Sequence, residues 1–507
     1  MRILFVAPEG VPFSKTGGLG DVVGGLPKEL AALGHEVAVF LPLYRGTKIQ
    51  PTVVHASLSV PVGRELRFPS VVGGFTEEGV RYDFLDDPEF FDRETLYGGP
   101  SGDYPDNAER FAEFSRAALE YAKLVWRPDV IHCHDWQTAL VPIFKQSLYA
   151  ADPLLAPIPT ILTIHNLGYQ GLFERGVLAR VGLPESLFSI EGMEFYGRVN
   201  FLKGAILASD WLTTVSRRYA EEIQTEEYGC GLEGVIRKRS DRLVGILNGV
   251  DYSAWNPETD PFILARYSAS DLSGKQVCKH NLLEEFGLPA GRLDRLVVGL
   301  ISRFVDQKGF DLIVEAAEEI LAENLQIVAL GTGMPEYEEF FRDLAARYPQ
   351  QVAVRINYDN GLAHKIEAGA DLFLMPSRYE PCGLNQIYSL RYGTLPLVRA
   401  TGGLDDTVEP YDPRTGEGTG FKFSDYTSEA LLACLRQALA VWGDFAAWRR
   451  LQVRAMSRDF SWRASAARYV SLYQEAQRTR IPAALAASVD VGSGGASRAS
   501  AESSRKG

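Results

Sequence analysis

Short apolar runs alternate along this chain with segments whose apolar residues recur every three or four positions. "RILFVA", "EVAVFLP", "DVIHCH" and "PTILTIH" each have the length and composition of a buried strand, and several lead straight into a helical segment or a Gly-rich turn. That alternation predicts a parallel sheet wrapped by helices. Residues 45–110 break the rhythm: they are rich in Gly, Pro, Asp and aromatics, as in "LYGGPSGDYPDNAERF", and read as an insertion of hairpins and an ordered loop.

The alternation resumes after a Pro/Asp/Gly-rich connection near residues 250–275. "RLVVGLIS", "LQIVALG", "QVAVRIN", "DLFLMP" and "TLPLVRA" read as strands, and "GFDLIVEAAEEILAEN" as a helix between two of them. The pattern therefore predicts an α/β protein of two doubly wound units, over residues 1–250 and 251–455, with a cleft between them. A C-terminal helix over 456–480 is expected to pack back on the first unit. The segment 481–507 is Ser/Ala/Gly-rich without an apolar period and is expected to be disordered.

Composition narrows the function classes. At 507 residues the chain is too long for one ordinary core, and 46% hydrophobic with 23% charged residues is globular. A formal net charge of −13 argues against a nucleic-acid binder working through a basic surface. It leaves room for an anionic small molecule in a local positive pocket. The five cysteines are scattered, with no CxxC pair, which suits reduced thiols in a cytosol. The first apolar run is interrupted by Pro8, Glu9 and Gly10, too early for a signal peptide, and no apolar stretch is long enough to span a membrane. The expectation is a cytoplasmic protein with no membrane partner.

Candidate chemistry lies at the predicted strand ends, where such sheets bind ligands. "FSKTGGLGDVVGGLP" follows the first strand. Gly17 and Gly18 there offer N–H groups at a helix start, where an anion is favoured, with Lys15 beside them. In "SRFVDQKG", Arg303 and Lys308 bracket a short loop. In "DLFLMPSRYEPCGLNQ", Glu380 stands at a corner suited to sugar hydroxyls, and the amides of Cys382, Gly383 and Leu384 face an anion. Gly402 and Gly403 in "RATGGLDD" repeat the glycine device. Each motif alone also reads as a structural turn or a solvated charge. Together they predict a cationic cleft, more repulsive than cohesive. His132 and His134 in "HCHD" share a strand face as a metal-binding HxH pair does, although the second unit offers no matching carboxylate–histidine cluster. His165 ends another strand, as a cleft residue or a core one.

The set "SKTGGLGDV", "HCHDWQ", "TIHN", "ILNGVD", "SRFVDQKG", "PSRYEPCGLNQ" and "VRATGGLDDTV", in order up to about residue 475, resembles the bacterial glycogen synthases and the plant starch synthases related to them. The resemblance implies a GT-B glycosyltransferase with two Rossmann-like domains. It implies transfer of glucose from ADP-glucose to the nonreducing-end 4-OH of an α-1,4-glucan, with retention and without a metal or other cofactor. By that resemblance Lys15, the Gly17–Gly18 turn and Asp21 approach the donor diphosphate, and Arg303 and Lys308 stabilise it as it leaves. His165 and Asp135 lie at the transferred glucose, and Glu380 holds its hydroxyls. Asn248, Cys382, Gly383, Leu384, Gly402 and Gly403 join the nucleotide-sugar site, and Tyr358 stacks on the base. Many related retaining enzymes carry a second glutamate eight positions after the first. Here that position is Tyr388, as in glycogen and starch synthases, while Gln137 stands where histidine is common.

Three other readings remain open at this level. One is a retaining transferase using a UDP- or GDP-sugar, another a metal-dependent hydrolase using His132 and His134. The third is a glucan-binding protein without catalysis.

Overall fold

The computed structural model describes residues 1–99 and 102–479; the expected disordered tail lies outside the described residues. In the first unit, seven parallel strands form most of a nine-stranded sheet. Arg2–Val6 lies between Glu36–Pro42 and Val130–His134, and Thr160–Ile164, Trp211–Thr214 and Leu243–Gly245 continue outward. The strands Arg2–Val6, Val130–His134 and Thr160–Ile164 are buried almost throughout, as central parallel strands covered on both faces must be.

The segment after residue 45 is only partly an insertion. Val80–Asp86 joins the main sheet parallel to Glu36–Pro42, and Ser70–Glu77 and Val53–His55 pair on beyond it in antiparallel fashion. The hairpin turn at Glu78 and Gly79, both at positive φ, returns the chain into the sheet. Alternation of polar and apolar residues in "VRYDFLD" conceals a strand that is buried at nearly every position.

The second sheet has six parallel strands, in the order Val352–Arg355, Leu325–Leu330, Leu296–Ile301, Leu372–Met375, Leu395–Arg399, Phe421–Phe423. Numbered along the chain this is 3-2-1-4-5-6, the arrangement of dinucleotide-binding sheets, whose order reverses beside the first strand. The segment read as one helix over residues 309–324 is two, Phe310–Glu315 and Ala317–Ala322, broken at Ala316, whose φ of −95° and ψ of 7° leave the helical region.

The chain then returns. Val250 N–H donates to the Phe460 carbonyl at 2.9 Å, so the outgoing and incoming crossings run side by side. The helix Trp462–Thr479 buries Trp462, Ala466, Tyr469, Leu472, Tyr473 and Ala476 in the core of the first unit, against Phe5, Val22 and Leu26. Trp462 fits because Gly25 and Gly249 have no side chains: a Cβ on Gly25 would stand 2.1 Å from the indole Nε1, and one on Gly249 2.5 Å from the Trp462 Cα.

Candidate active site

Both sheets reverse their order beside their first strand, and the candidate residues gather beyond those two switch points. In the first unit these are the ends of Arg2–Val6 and Val130–His134; in the second, the ends of Leu296–Ile301 and Leu372–Met375.

The first switch point is organised by a residue that the sequence shows only as an interruption of an apolar run. Glu9, 2% exposed, accepts hydrogen bonds from Thr16 N–H (2.8 Å), Thr16 Oγ1 (2.6 Å), Gly17 N–H (3.2 Å), Gly20 N–H (3.1 Å) and the Tyr97 hydroxyl (3.2 Å). Its carboxylate thus pins the Gly-rich loop from below. Burial pushes its pKa up, and the donors around it oppose that shift. The expectation that Gly17 offers its amide to a ligand is corrected: Glu9 has taken it. The Gly18 N–H, at the start of the helix Gly18–Ala32, has no acceptor among the described residues and remains available to an anion.

Next to this loop the strand Val130–His134 ends in Asp135 at φ 56°, ψ −171°, a backbone state costly for any residue with a Cβ. The conformation turns the Asp135 carboxylate under the next strand end, where Oδ1 accepts the His165 N–H at 2.7 Å. Burial, with Glu9 nearby, pushes the Asp135 carboxyl up to about 7. His165 Nε2 lies 3.0 Å from His134 Nδ1, and burial pushes the His165 ring down to about 3, so the pair is neutral at pH 7. The His134 Nε2 is enclosed without a partner among the described residues.

His132 does not serve a metal pair. Its ring nitrogens lie against two hydroxyls, Nδ1 2.8 Å from Tyr473 and Nε2 2.6 Å from Thr163, so it ties the C-terminal helix to the sheet. Among the described residues no group of three His, Cys, Asp or Glu side chains could hold a metal ion. With His132 held by these two hydroxyls, it is not free to form the metal pair that the hydrolase reading needs.

At the second switch point Lys308 Nζ is 2.6 Å from Glu380 Oε2, which also accepts from the Ser377 hydroxyl at 3.1 Å. Glu380 is nearly enclosed, 5% exposed. The Arg303 guanidinium stands exposed and reaches across to the Tyr169 hydroxyl of the first unit at 3.4 Å. Lys15 pairs with Asp21 at 2.7 Å. The repulsive cationic cleft expected from sequence is therefore corrected: Lys15 and Lys308 each face a carboxylate.

The amides of Cys382, Gly383 and Leu384 have no acceptor among the described residues, and Gly383 sits at φ 71°. Burial pushes the Cys382 thiol up to about 12, leaving it inert. Across the cleft, a Cβ on Gly18 would stand 3.8 Å from Leu384 Cδ1, so the two open loops face each other. Asn248 is buried here, and its side-chain oxygen has no partner among the described residues. Tyr358 stands 74% exposed. Tyr388 stacks on Trp255 at 4.0 Å, and Trp255 on His364 at 3.7 Å, so its ring is committed to packing.

Gly402 and Gly403 pack closely against protein backbone. A Cβ on Gly402 would lie 1.9 Å from the Glu380 carbonyl oxygen, and one on Gly403 2.0 Å from that of Cys382. The Gly402 N–H donates to Glu222 of the first unit at 3.1 Å, and the Gly403 N–H to the Glu380 carbonyl at 3.1 Å. The glycines are required because the Glu380 corner rests on them.

Comparison with known proteins accounts for this layout. Residues 2–238 match the starch synthase catalytic domain, and residues 289–448 match glycosyl transferases group 1. A glycogen synthase of Koribacter versatilis is 56% identical over 95% of this chain and 99% of its own length, and one of an Anaeromyxobacter species is 52% identical over 94% and 99%. The catalytic domain of starch synthase IV from Arabidopsis thaliana, solved bound to ADP and acarbose, superposes with a TM-score of 0.87 at 37% identity, covering 94% of this chain and 99% of that one. A sucrose-phosphate synthase from Thermosynechococcus elongatus, at 18% identity and a TM-score of 0.57, shares the fold alone. With two dinucleotide-type sheets, their switch points facing each other, and relatives matched over nearly its full length, the chain belongs to the glycogen and starch synthase family of GT-B hexosyltransferases.

Proposed function

We propose that this enzyme transfers glucose from ADP-glucose to the nonreducing-end 4-OH of an α-1,4-glucan, with retention of configuration and release of ADP. The observation that carries the reading is the Lys308–Glu380 pair at the second switch point, with the open Gly18 amide facing the Leu384 loop and Arg303 reaching the first unit at Tyr169. ADP as the leaving group is supported by the ADP-bound starch synthase, 37% identical to this chain.

The residue types suit that chemistry. As the bond from the sugar C1 to the phosphate oxygen breaks, positive charge grows on the ring and negative charge on the diphosphate. Arg303 and Lys308 stabilise the diphosphate with fixed cations, and the Gly18, Gly383 and Leu384 amides, without acceptors among the described residues, are available to donate to it. These side chains take the part a divalent ion has in other transferases. A double displacement would need a carboxylate nucleophile and a second carboxylate as acid and base. Glu380 is engaged by Lys308 and Ser377, and Tyr388 stands where related enzymes have another glutamate. Front-face attack fits instead: the acceptor oxygen bonds to C1 on the side the diphosphate leaves, and a departing phosphate oxygen takes the 4-OH proton. The deciding experiment is transfer of radiolabelled glucose to glycogen from ADP-, UDP- and GDP-glucose. A preference for either of the other donors overturns the ADP assignment and leaves the transferase standing.

A further inference from the structure

Two short helices from different units face each other behind the Glu380 corner, and each holds the other's N-terminus. The helix Arg217–Glu222 belongs to the first unit and Gly402–Thr407 to the second. Asp406 Oδ2 accepts the N–H groups of Arg217 (2.7 Å) and Arg218 (3.0 Å). In return the Glu222 carboxylate accepts the Gly402 N–H at 3.1 Å and the Thr401 hydroxyl at 3.2 Å. Each helix thus carries the carboxylate that satisfies the first-turn amides of its partner, where a negative charge is favoured. Ser216 completes the contact by donating its buried hydroxyl to the Pro381 carbonyl at 2.6 Å, one residue from Glu380.

From there the contact runs to the chemistry without slack. Gly402 and Gly403 touch the backbone of Glu380 and Cys382 so closely that no Cβ fits between them. Whatever fixes the Gly402 amide therefore fixes the height of the Glu380 corner relative to the first unit. Glu222 is 4% exposed, and its partly exposed partner Arg218 reaches it only at 3.4 Å, so the amide and hydroxyl are its main anchors.

We infer that Glu222 and Asp406 are positioning residues, whose exchanged carboxylates hold the Glu380 corner in register with His165 and Asp135 across the cleft. The inference rests on the proposed transfer at that corner. It accounts for the burial of an acidic side chain against the other unit.

The test uses the full chain with Glu222→Ala, Asp406→Ala, the double variant, and the milder Glu222→Gln and Asp406→Asn. Each alanine variant is expected to lower kcat about tenfold while ADP affinity by calorimetry stays within twofold. The double variant should be no slower than the slower single, because both carboxylates serve one contact. The amide variants keep an acceptor oxygen and should recover part of the loss. Hydrogen exchange gives a readout independent of turnover: loss of Glu222 should speed exchange at residues 401–407, and loss of Asp406 at 216–222. Near-normal kcat in both alanine variants, or exchange changes confined to the mutated unit, overturns the inference. If the wild-type chain transfers no glucose from any donor, the proposed function falls, and the exchange pattern alone decides whether the reciprocal contact exists.

Discussion

Lys308 and Glu380 lie 2.6 Å apart, so the cation suited to a leaving diphosphate is held by the carboxylate suited to the sugar. Each therefore sets the other's availability. Glu380→Gln should lower turnover with ADP-glucose while ADP binding holds or tightens, because Lys308 is released. Calorimetry and steady-state rates separate the two, and equal losses in both would reduce Glu380 to a loop support. Arg303→Ala and Lys308→Ala should each cut turnover on the order of 10²-fold. Only Lys308→Ala should also lower the melting temperature, since it leaves a nearly enclosed carboxylate with the Ser377 hydroxyl but without its cation.

Glu9 holds the Gly-rich loop through five donors. Glu9→Ala leaves the buried Gly20 amide without its acceptor while the more exposed Thr16 and Gly17 amides turn to water, so the variant should lose about 1–3 kcal/mol of stability. Its donor KM should rise as the loop and Lys15 drift. Urea unfolding and donor titration check this. A variant with wild-type stability would mean that the loop is held by other contacts.

Asp135 combines a positive φ with a carboxyl pushed up to about 7 by burial. Asp135→Asn keeps an oxygen for the His165 N–H but removes the ionisation. If the ionised form serves the positively charged transition state, the wild-type rate rises with pH through about 7. The asparagine variant should be slower and should lose that limb of the pH–rate profile. An unchanged limb would assign the titration to another group.

His132 is enclosed between hydroxyls, and burial lowers its pKa from 6.5 to about 3. As pH falls below 6.5, the unfolded chain takes up a proton that the folded chain refuses. Stability is therefore full above that pH and drops by up to about 1.4 kcal/mol per pH unit on the way towards 3. His132→Asn should be less stable at pH 7 yet show a shallower loss between pH 6.5 and 4.5. Denaturant midpoints across that range measure both effects, and parallel slopes count against the argument.

Because cationic side chains face the proposed diphosphate, EDTA should leave glucosyl transfer largely intact. Loss of activity restored by one divalent ion would contradict the mechanism.

The strands and the glycine turns were legible because each is written in a few consecutive residues. "DLFLMP" and "RLVVGLIS" became Leu372–Met375 and Leu296–Ile301, and the motif residues Lys308 and Glu380 did meet. What escaped the sequence reading is pairing over long separations. Glu9 meeting Tyr97, Glu222 meeting Gly402 and His132 meeting Tyr473 join segments that share no local pattern. The glycines at 402 and 403 were visible, but not whether a phosphate or a backbone came close to them. A missing Cβ records close approach without naming the neighbour.

The return of Trp462–Thr479 into the core of the first unit also bears on how the protein is made. Translation delivers the first sheet early, but the helix that covers Phe5 and Val22 is among the last described segments to emerge. In the interval the whole second unit is synthesised, roughly 10–40 s at usual elongation rates. During that time the nascent first unit presents an uncovered apolar face, and the Gly25 and Gly249 slots for Trp462 stand empty. The second unit, continuous in sequence, can complete its core first. The half of the enzyme that begins the chain is thus the half that finishes folding last.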